Sequence, residues 1–253
     1  MFEVATHLAL LLILAAFVAG FVDSIAGGGG LIAMPMLLIA GATPLEALAT
    51  NKLQGAFGAG TATVAYARAG HVRLKDQFGM AAVSALAAAA GALVAKSMPA
   101  DALRIIMPVI LVAVAAFFAL KPGLSDRDRV QRLSPALFTF TAVPMIAAYD
   151  GFFGPGTGSF FMLAFVMLAG FGMLKATAHT KMLNFASNIG SLAIFIPSGA
   201  MWWGVGLAMS LAQIAGATLG AKMAMKIGAR LIKPLIVTVS VAMALRLLWQ
   251  ALG

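Results

Sequence analysis

Lys52 and Lys181 each lie deep within a long apolar stretch, with polar side chains clustered around them. Thr50, Asn51 and Gln54 surround the first; His179, Thr180, Asn184, Ser187 and Asn188 surround the second. On a helix, Lys181, Asn184 and Asn188 share one face, which would line a cavity. Single polar groups of this kind could equally bond to a neighbouring helix. Lys52 falls about 12 Å beyond the helix start at Thr43-Pro44, and Lys181 about half-way along its segment. A lysine at such depth in a bilayer costs on the order of 3 kcal/mol unless it is paired, wet or able to snorkel to the interface. Two cations facing one site would suit an anion.

Two glycine-rich breaks accompany the lysines: Gly27, Gly28, Gly29 and Gly30 in the first half, and Gly156, Thr157, Gly158 and Ser159 in the second. Each precedes a short apolar segment, Leu31 to Ala40 or Phe160 to Ala169. A helix N-terminus offers unpaired N–H groups and about half a positive charge, and glycine lets a ligand approach the backbone. Such a break within a membrane is an anion site, whereas glycines without a ligand serve tight helix packing. Asp23 and Asp150 stand just before the breaks. They could hold the lysines charged when no substrate is bound, or cap N–H groups at the break. His179 is the natural pH-sensitive group, for proton coupling or for a plain hydrogen bond. The candidate substrate-binding set is therefore Gly27 to Gly30, Asn51, Lys52, Gln54, Gly156 to Ser159, Thr180, Lys181 and Asn184, with Asp23, Asp150 and His179 as coupling or gating groups.

The elements that must position these groups are membrane helices. The chain has 253 residues, 62% hydrophobic and only 10% charged, with mean hydropathy +1.01. A soluble domain carries about 25% charged residues, so this chain cannot clothe itself in polar surface. Its apolar runs suit helices, which need about 20 residues to span; the short alternating segments of a β-barrel are not visible. The expected spans are segments 1 (Thr6 to Ile25), 2 (Pro44 to Ala67), 3 (Phe78 to Met98), 4 (Ala102 to Leu120), 5 (Ala136 to Tyr149), 6 (Leu174 to Ile196), 7 (Trp203 to Ala221) and 8 (Leu231 to Leu252). The N-terminus lacks a basic n-region, so segment 1 reads as a retained helix. Trp202 and Trp203 read as interfacial anchors.

The plan occurs twice. Setting Gly27 against Gly156 gives a gapless match of residues 27–52 on 156–181, in which Gly27/Gly156, Gly29/Gly158 and Lys52/Lys181 are identical. Repeats 1–120 and 136–253 are joined by the polar linker 121–135, all within a single transporter domain, residues 1–253. Basic residues collect in three places: Arg68, Arg73 and Lys75; Lys121, Arg127, Arg129 and Arg132; and Lys222, Lys226, Arg230 and Lys233. All three are cytoplasmic only if each short segment turns the chain back. Each half then has an odd number of segments and the halves are inverted, with four spanning helices and one half-helix apiece and both termini outside. Glu46, aligned with Lys175, fits this bias. A parallel repeat is the alternative.

The net charge of +9 and pI near 10.4 would suggest nucleic acid in a soluble protein. Here they follow from topology, and no nucleic-acid partner is expected. With no cysteine there is no disulfide or thiolate chemistry. His7, His71 and His179 are dispersed, so no metal site is expected, and no cofactor motif is present; neither break is a P-loop. HExxH, GxSxG and a paired-carboxylate motif are absent, so an enzyme is not expected.

The runs GFVDSIAGGGGLIAMP, ATNKLQGAFG, YDGFFGPGTGSF and KATAHTKMLNFASNIGSL resemble, in order and over nearly the whole chain, the TauE/SafE family of sulfite and organosulfonate exporters. The resemblance implies a multi-pass bacterial inner-membrane protein moving a small sulfur-containing anion such as sulfite or sulfoacetate, outward. It does not fix the substrate.

The sequence thus leads to an all-α integral membrane protein, a polytopic bundle of two inverted repeats, working as a secondary carrier for a small anion by alternating access. An anion channel or a sensor without coupled transport is the alternative, and a membrane enzyme acting on a lipid-like substrate a third. The expected partners are the anion and the bilayer, and a homodimer is left open.

Overall fold

The computed structural model describes residues 2–120 and 130–228. Segment 8, residues 121–129 of the linker, and the basic residues Lys121, Arg127, Arg129, Arg230 and Lys233 lie outside the described residues. Within them the chain is helical, with no strand: α1 (Thr6–Ala26), α2 (Gly29–Ile39), α3 (Pro44–Arg68), α4 (Leu74–Ser97), α5 (Ala100–Leu120), α6 (Pro135–Phe140), α7 (Ala142–Phe152), α8 (Thr157–Met167), α9 (Met173–Phe195) and α10 (Trp203–Ile227). Among them α1, α4 and α10 are long and apolar enough to cross a membrane. Helices α3 and α9 reach about 35 Å, a spanning length, and carry the polar residues. Helices α2 and α8 are apolar and about 16 Å long, half a bilayer core.

Local chemistry explains the boundaries. Helix α3 starts at a capping box: Thr43 Oγ1 accepts from the Glu46 N–H, and the Glu46 carboxylate accepts from the Thr43 N–H at 2.7 Å. Pro44 follows at the first helical position, where a missing N–H costs nothing. Helix α1 ends on Gly27 in the left-handed region, φ +81°. The chain turns back there: a methyl at Gly29 would sit 2.8 Å from the Ala19 carbonyl, well inside α1.

Segment 5, expected as one helix, is two. It breaks at Thr141 (φ −120°, ψ −69°) into α6 and α7. Pro144 is the cause: its ring would clash with the Phe140 carbonyl in a continuous helix, and it has no N–H to donate. The other described helices match their expected segments within a few residues, except that α10 runs on from Ala221 to Ile227, more than one and a half turns further.

Small residues bring the helices together, and the pairings cross between the halves. Helix α10 packs on α1 and α3, while α4 packs on α7 and α9. Gly91 of α4 lies against the Ala148 carbonyl of α7, and its repeat mate Gly220 of α10 lies against the Phe21 carbonyl of α1. With no hydrophobic drive between helices in lipid, such close backbone approach is how they associate. Helices α3 and α9 cross at the centre, Gly55 facing Asn188 and Gly60 facing Phe185.

Candidate functional site

The two glycine breaks meet. Gly27 is packed against the Gly158–Ser159 peptide. The Ser159 N–H donates to the Gly27 carbonyl at 3.2 Å, and its hydroxyl to the Ala26 carbonyl at 2.7 Å. The carbonyl end of α1 thus docks on the first turn of α8, a favourable meeting of opposite helix ends.

The lysines are paired across the halves. Lys52 Nζ of α3 donates to Asp150 Oδ1 of α7 at 2.7 Å and to the Asp150 carbonyl. Lys181 Nζ of α9 donates to Asp23 Oδ2 of α1 at 3.3 Å and to the Asp23 carbonyl. Both lysines are buried, so snorkelling does not occur. Each uses the end of a broken helix twice, taking one carboxylate and one C-terminal carbonyl, where the helix dipole favours a cation. The surroundings of the two acids differ. Asp23 Oδ1 also accepts from the Gly29 N–H at 3.3 Å, which caps the start of α2, so pairing and capping are combined. Asp150 Oδ2 accepts from the Ser187 hydroxyl. The Asp23 side chain keeps 16% of its exposure and that of Asp150 only 4%.

In front of these pairs lies a polar cavity of about 30 Å³, room for about one water. Asp23, Gly27, Gly29, Gly30, Asn51, Gln54, Asp150, Gly156, Gly158 and Asn184 of the expected set line it. The first turns of α2 and α8 therefore open onto one space. The ammonium groups of Lys52 and Lys181 stand behind this lining; Lys52 Nζ is packed against Gly154, which is part of it. Four expected residues lie elsewhere. Gly28 caps α2. Thr157 gives its hydroxyl to the Gly154 carbonyl, and Ser159 is spent on the contact between the breaks. Thr180 is buried with no hydrogen-bond partner for its hydroxyl oxygen. His179 is also away from the lining: its Nδ1 is 2.9 Å from the Lys175 carbonyl, and its ring packs edge-on against Phe165 and Phe171.

Gly55, Gly154, Asn188 and Gln213 complete the lining among the described residues. Asn188 shares the Lys181–Asn184 face. Gln213 is a lone amide in α10, and its signal is that isolation, since a buried amide in a spanning helix must find a partner. It donates to Gln54 Oε1 at 2.5 Å, and Gln54 donates to Asn51 Oδ1 at 2.8 Å, a chain of amides along one wall. Chemically the site is a hydrogen-bonding pocket with two carboxylates and two lysines in balance. No cluster of metal-binding side chains occurs among the described residues.

Residues 12–247 match the family described as sulfite exporter TauE/SafE. The chain is 58% identical over 246 residues to the probable membrane transporter protein ORF9 of a Sinorhizobium species, covering 97% of this chain and 94% of that protein. It is 43% identical over 253 residues to the probable membrane transporter protein YfcA of Escherichia coli K12, covering 100% and 94%. It is 42% identical over 248 residues to a probable membrane transporter protein of Haemophilus influenzae, covering 98% and 97%. No solved structure matches it.

Proposed function

The chain belongs to the sulfite exporter TauE/SafE family and is a membrane transporter, and from that premise we propose that it is a secondary carrier that exports a small sulfur oxyanion or organosulfonate from bacterial cytoplasm. The observation that carries this reading is the crossed pair of ion pairs behind one cavity where two half-helix N-termini meet. An anion there finds backbone N–H groups and amides, and the two lysines pass from aspartate to substrate as it binds. A cavity of about 30 Å³ is smaller than a sulfite ion needs, so the halves must separate to admit it. That requirement suits a carrier better than an open anion channel.

In this reading the halves are inverted repeats that rock about the shared site. The exchange of α4 and α10 between halves and the mated ion pairs support the repeat, and the antiparallel run of α3 against its mate α9, with Gly55 facing Asn188 and Gly60 facing Phe185, supports the inversion. Arg68 and Lys222, from different basic clusters, line one groove, which supports a common cytoplasmic face for both. Both termini then face outward from a bacterial inner membrane.

A thermal-shift series on purified protein with sulfite, sulfoacetate, sulfate, acetate and phosphate tests the proposal, since a ligand of the folded form raises its apparent stability. Sulfite or a sulfonate should stabilise and drive saturable flux in liposomes. No shift with any sulfur anion, or a flux that never saturates, sinks it.

A further inference from the structure

An open apolar groove of about 850 Å³ runs between α3, α9 and α10, apart from the central cavity. Phe57 and Val64 of α3, with Phe185 and Ile189 of α9, give it exposed apolar walls. Along α3 it extends from Ala56 to Arg68, about 18 Å. That is close to the roughly 15 Å depth of hydrocarbon in one leaflet.

Among the described residues of the groove, both charged side chains are cations, and both sit at the same end. Gly206 of α10 faces Thr50 and Leu53, and Gln213 faces Gly58, so α10 and α3 run in the same direction. Lys222 therefore lies toward Arg68, both near the C-terminal ends of their helices. Both are exposed, and neither is paired with an acid among the described residues.

We propose that this groove holds one anionic phospholipid, its acyl tail along Phe57, Val64 and Ile189 and its phosphate between Arg68 and Lys222. A surface of this shape in a bilayer meets acyl chains in any case. What selects the lipid is charge: a phosphate bridging these two cations gains charge-assisted hydrogen bonds that a zwitterionic headgroup, carrying its own cation, matches less well. The far end of the tail reaches Ala56, next to Gly55 in the wall of the central cavity. The lipid thus rests on the same stretch of α3 that crosses α9 and α10 beside the site.

Native mass spectrometry of the purified full chain, offered equimolar phosphatidylglycerol and phosphatidylcholine, tests this. One phosphatidylglycerol should be retained at least fivefold over phosphatidylcholine. The double variant R68Q/K222Q should retain the two equally, with its thermal unfolding unchanged, and Val64→Trp should lower retention of both by filling the groove. Equal retention by the parent chain, or a preference that survives in the double variant, overturns the proposal. So does efficient disulfide dimerisation of Val64→Cys in native membranes, which would put a second copy over the groove; the chain has no other cysteine to confuse that reading.

Discussion

Lys52 Nζ lies 2.7 Å from Asp150 Oδ1, so the first half of the chain has its buried cation neutralised by the second. Lys181 and Asp23 return the arrangement. Both pairs lie at the seam between halves, the Lys52–Asp150 pair fully buried and Asp23 of the other pair partly exposed. Substrate charge entering between them has to compete with aspartate.

Breaking one pair should unfold more than it frees. A single Lys52→Met leaves Asp150 buried without its partner, and removal of one member of a buried pair costs about 3–5 kcal/mol. The double variant Lys52→Met/Asp150→Leu removes both charges, and apolar replacement of a whole pair is commonly neutral or stabilising. Thermal unfolding in detergent should therefore show a large loss in the single variant and near-recovery in the double. Anion-induced stabilisation should be absent from both. Retained binding in the recovered double variant would remove Lys52 from the site.

Gly27 and Gly41 both have positive φ, +81° and +98°, but only Gly27 is crowded. A methyl at Gly41 meets nothing within 4 Å, so Gly41→Ala carries only the left-handed backbone cost of about 1–2 kcal/mol. At Gly27 the same methyl collides with the Gly158–Ser159 peptide and forces the breaks apart. Gly27→Ala should abolish anion binding and lower folded yield, while Gly41→Ala keeps binding with a modest loss of melting temperature. Normal binding by Gly27→Ala would show that the meeting of the breaks is dispensable.

What could be read from residue types was what the chain resolves locally. The Thr43-Pro44 helix start, the glycine breaks and the depth of Lys52 and Lys181 follow from spacing, because a break or a buried charge is a local event. The crossing of partners does not: the Lys52 to Asp150 pairing depends on how α3 and α7 meet, 98 positions apart. Asp23 could be read as pairing or capping, and it does both. Thr157 and Ser159 looked like ligand donors, yet their hydroxyls are taken by carbonyls, one local and one from the other half. Pro144 divides segment 5, and the apolar continuity of that segment masks the clash with the Phe140 carbonyl. Gln213 shows in the sequence only as an isolated amide, because its partner, Gln54, is 159 positions away.

Glu3, itself outside the spanning segments, ties the N-terminal stretch to the first turn of α10. Its carboxylate accepts from the Gly204 N–H at 2.7 Å and the Val205 N–H at 3.0 Å. Burial works to raise its pKa, but those two amides, together with its own backbone N–H and the positive charge of the N-terminus, more than reverse this and hold it below the ordinary 4.5. A carboxyl lowered in the folded state adds stability above its unfolded value, and loses it as pH falls through the lower folded value. The group is largely exposed, so after screening the contribution is about 0.5 kcal/mol. The stability difference between the parent chain and Glu3→Gln should stay constant from neutral pH to about 5 and close below about 4. A difference that persists unchanged under acid would assign the effect to packing instead of charge.

Substitution of Gln213 tests the sign of the ligand. It ends the amide chain through Gln54 and Asn51, and it lines the cavity with Asp23 and Asp150. Gln213→Leu leaves Gln54 Oε1 without its donor, a loss of about 1–3 kcal/mol for a buried acceptor, and should weaken anion binding about tenfold. Gln213→Glu has nearly the same shape but brings a third carboxyl to the lining. If the site takes an anion, the repulsion should erase the thermal shift with sulfite or sulfonate well beyond the effect of leucine. If the carboxylates instead serve a cation, Gln213→Glu should strengthen stabilisation by sodium or another small cation while leucine weakens it. Isothermal titration of both variants with each ion at fixed pH separates the cases, and a gain in cation affinity without loss of anion response would overturn the anion site.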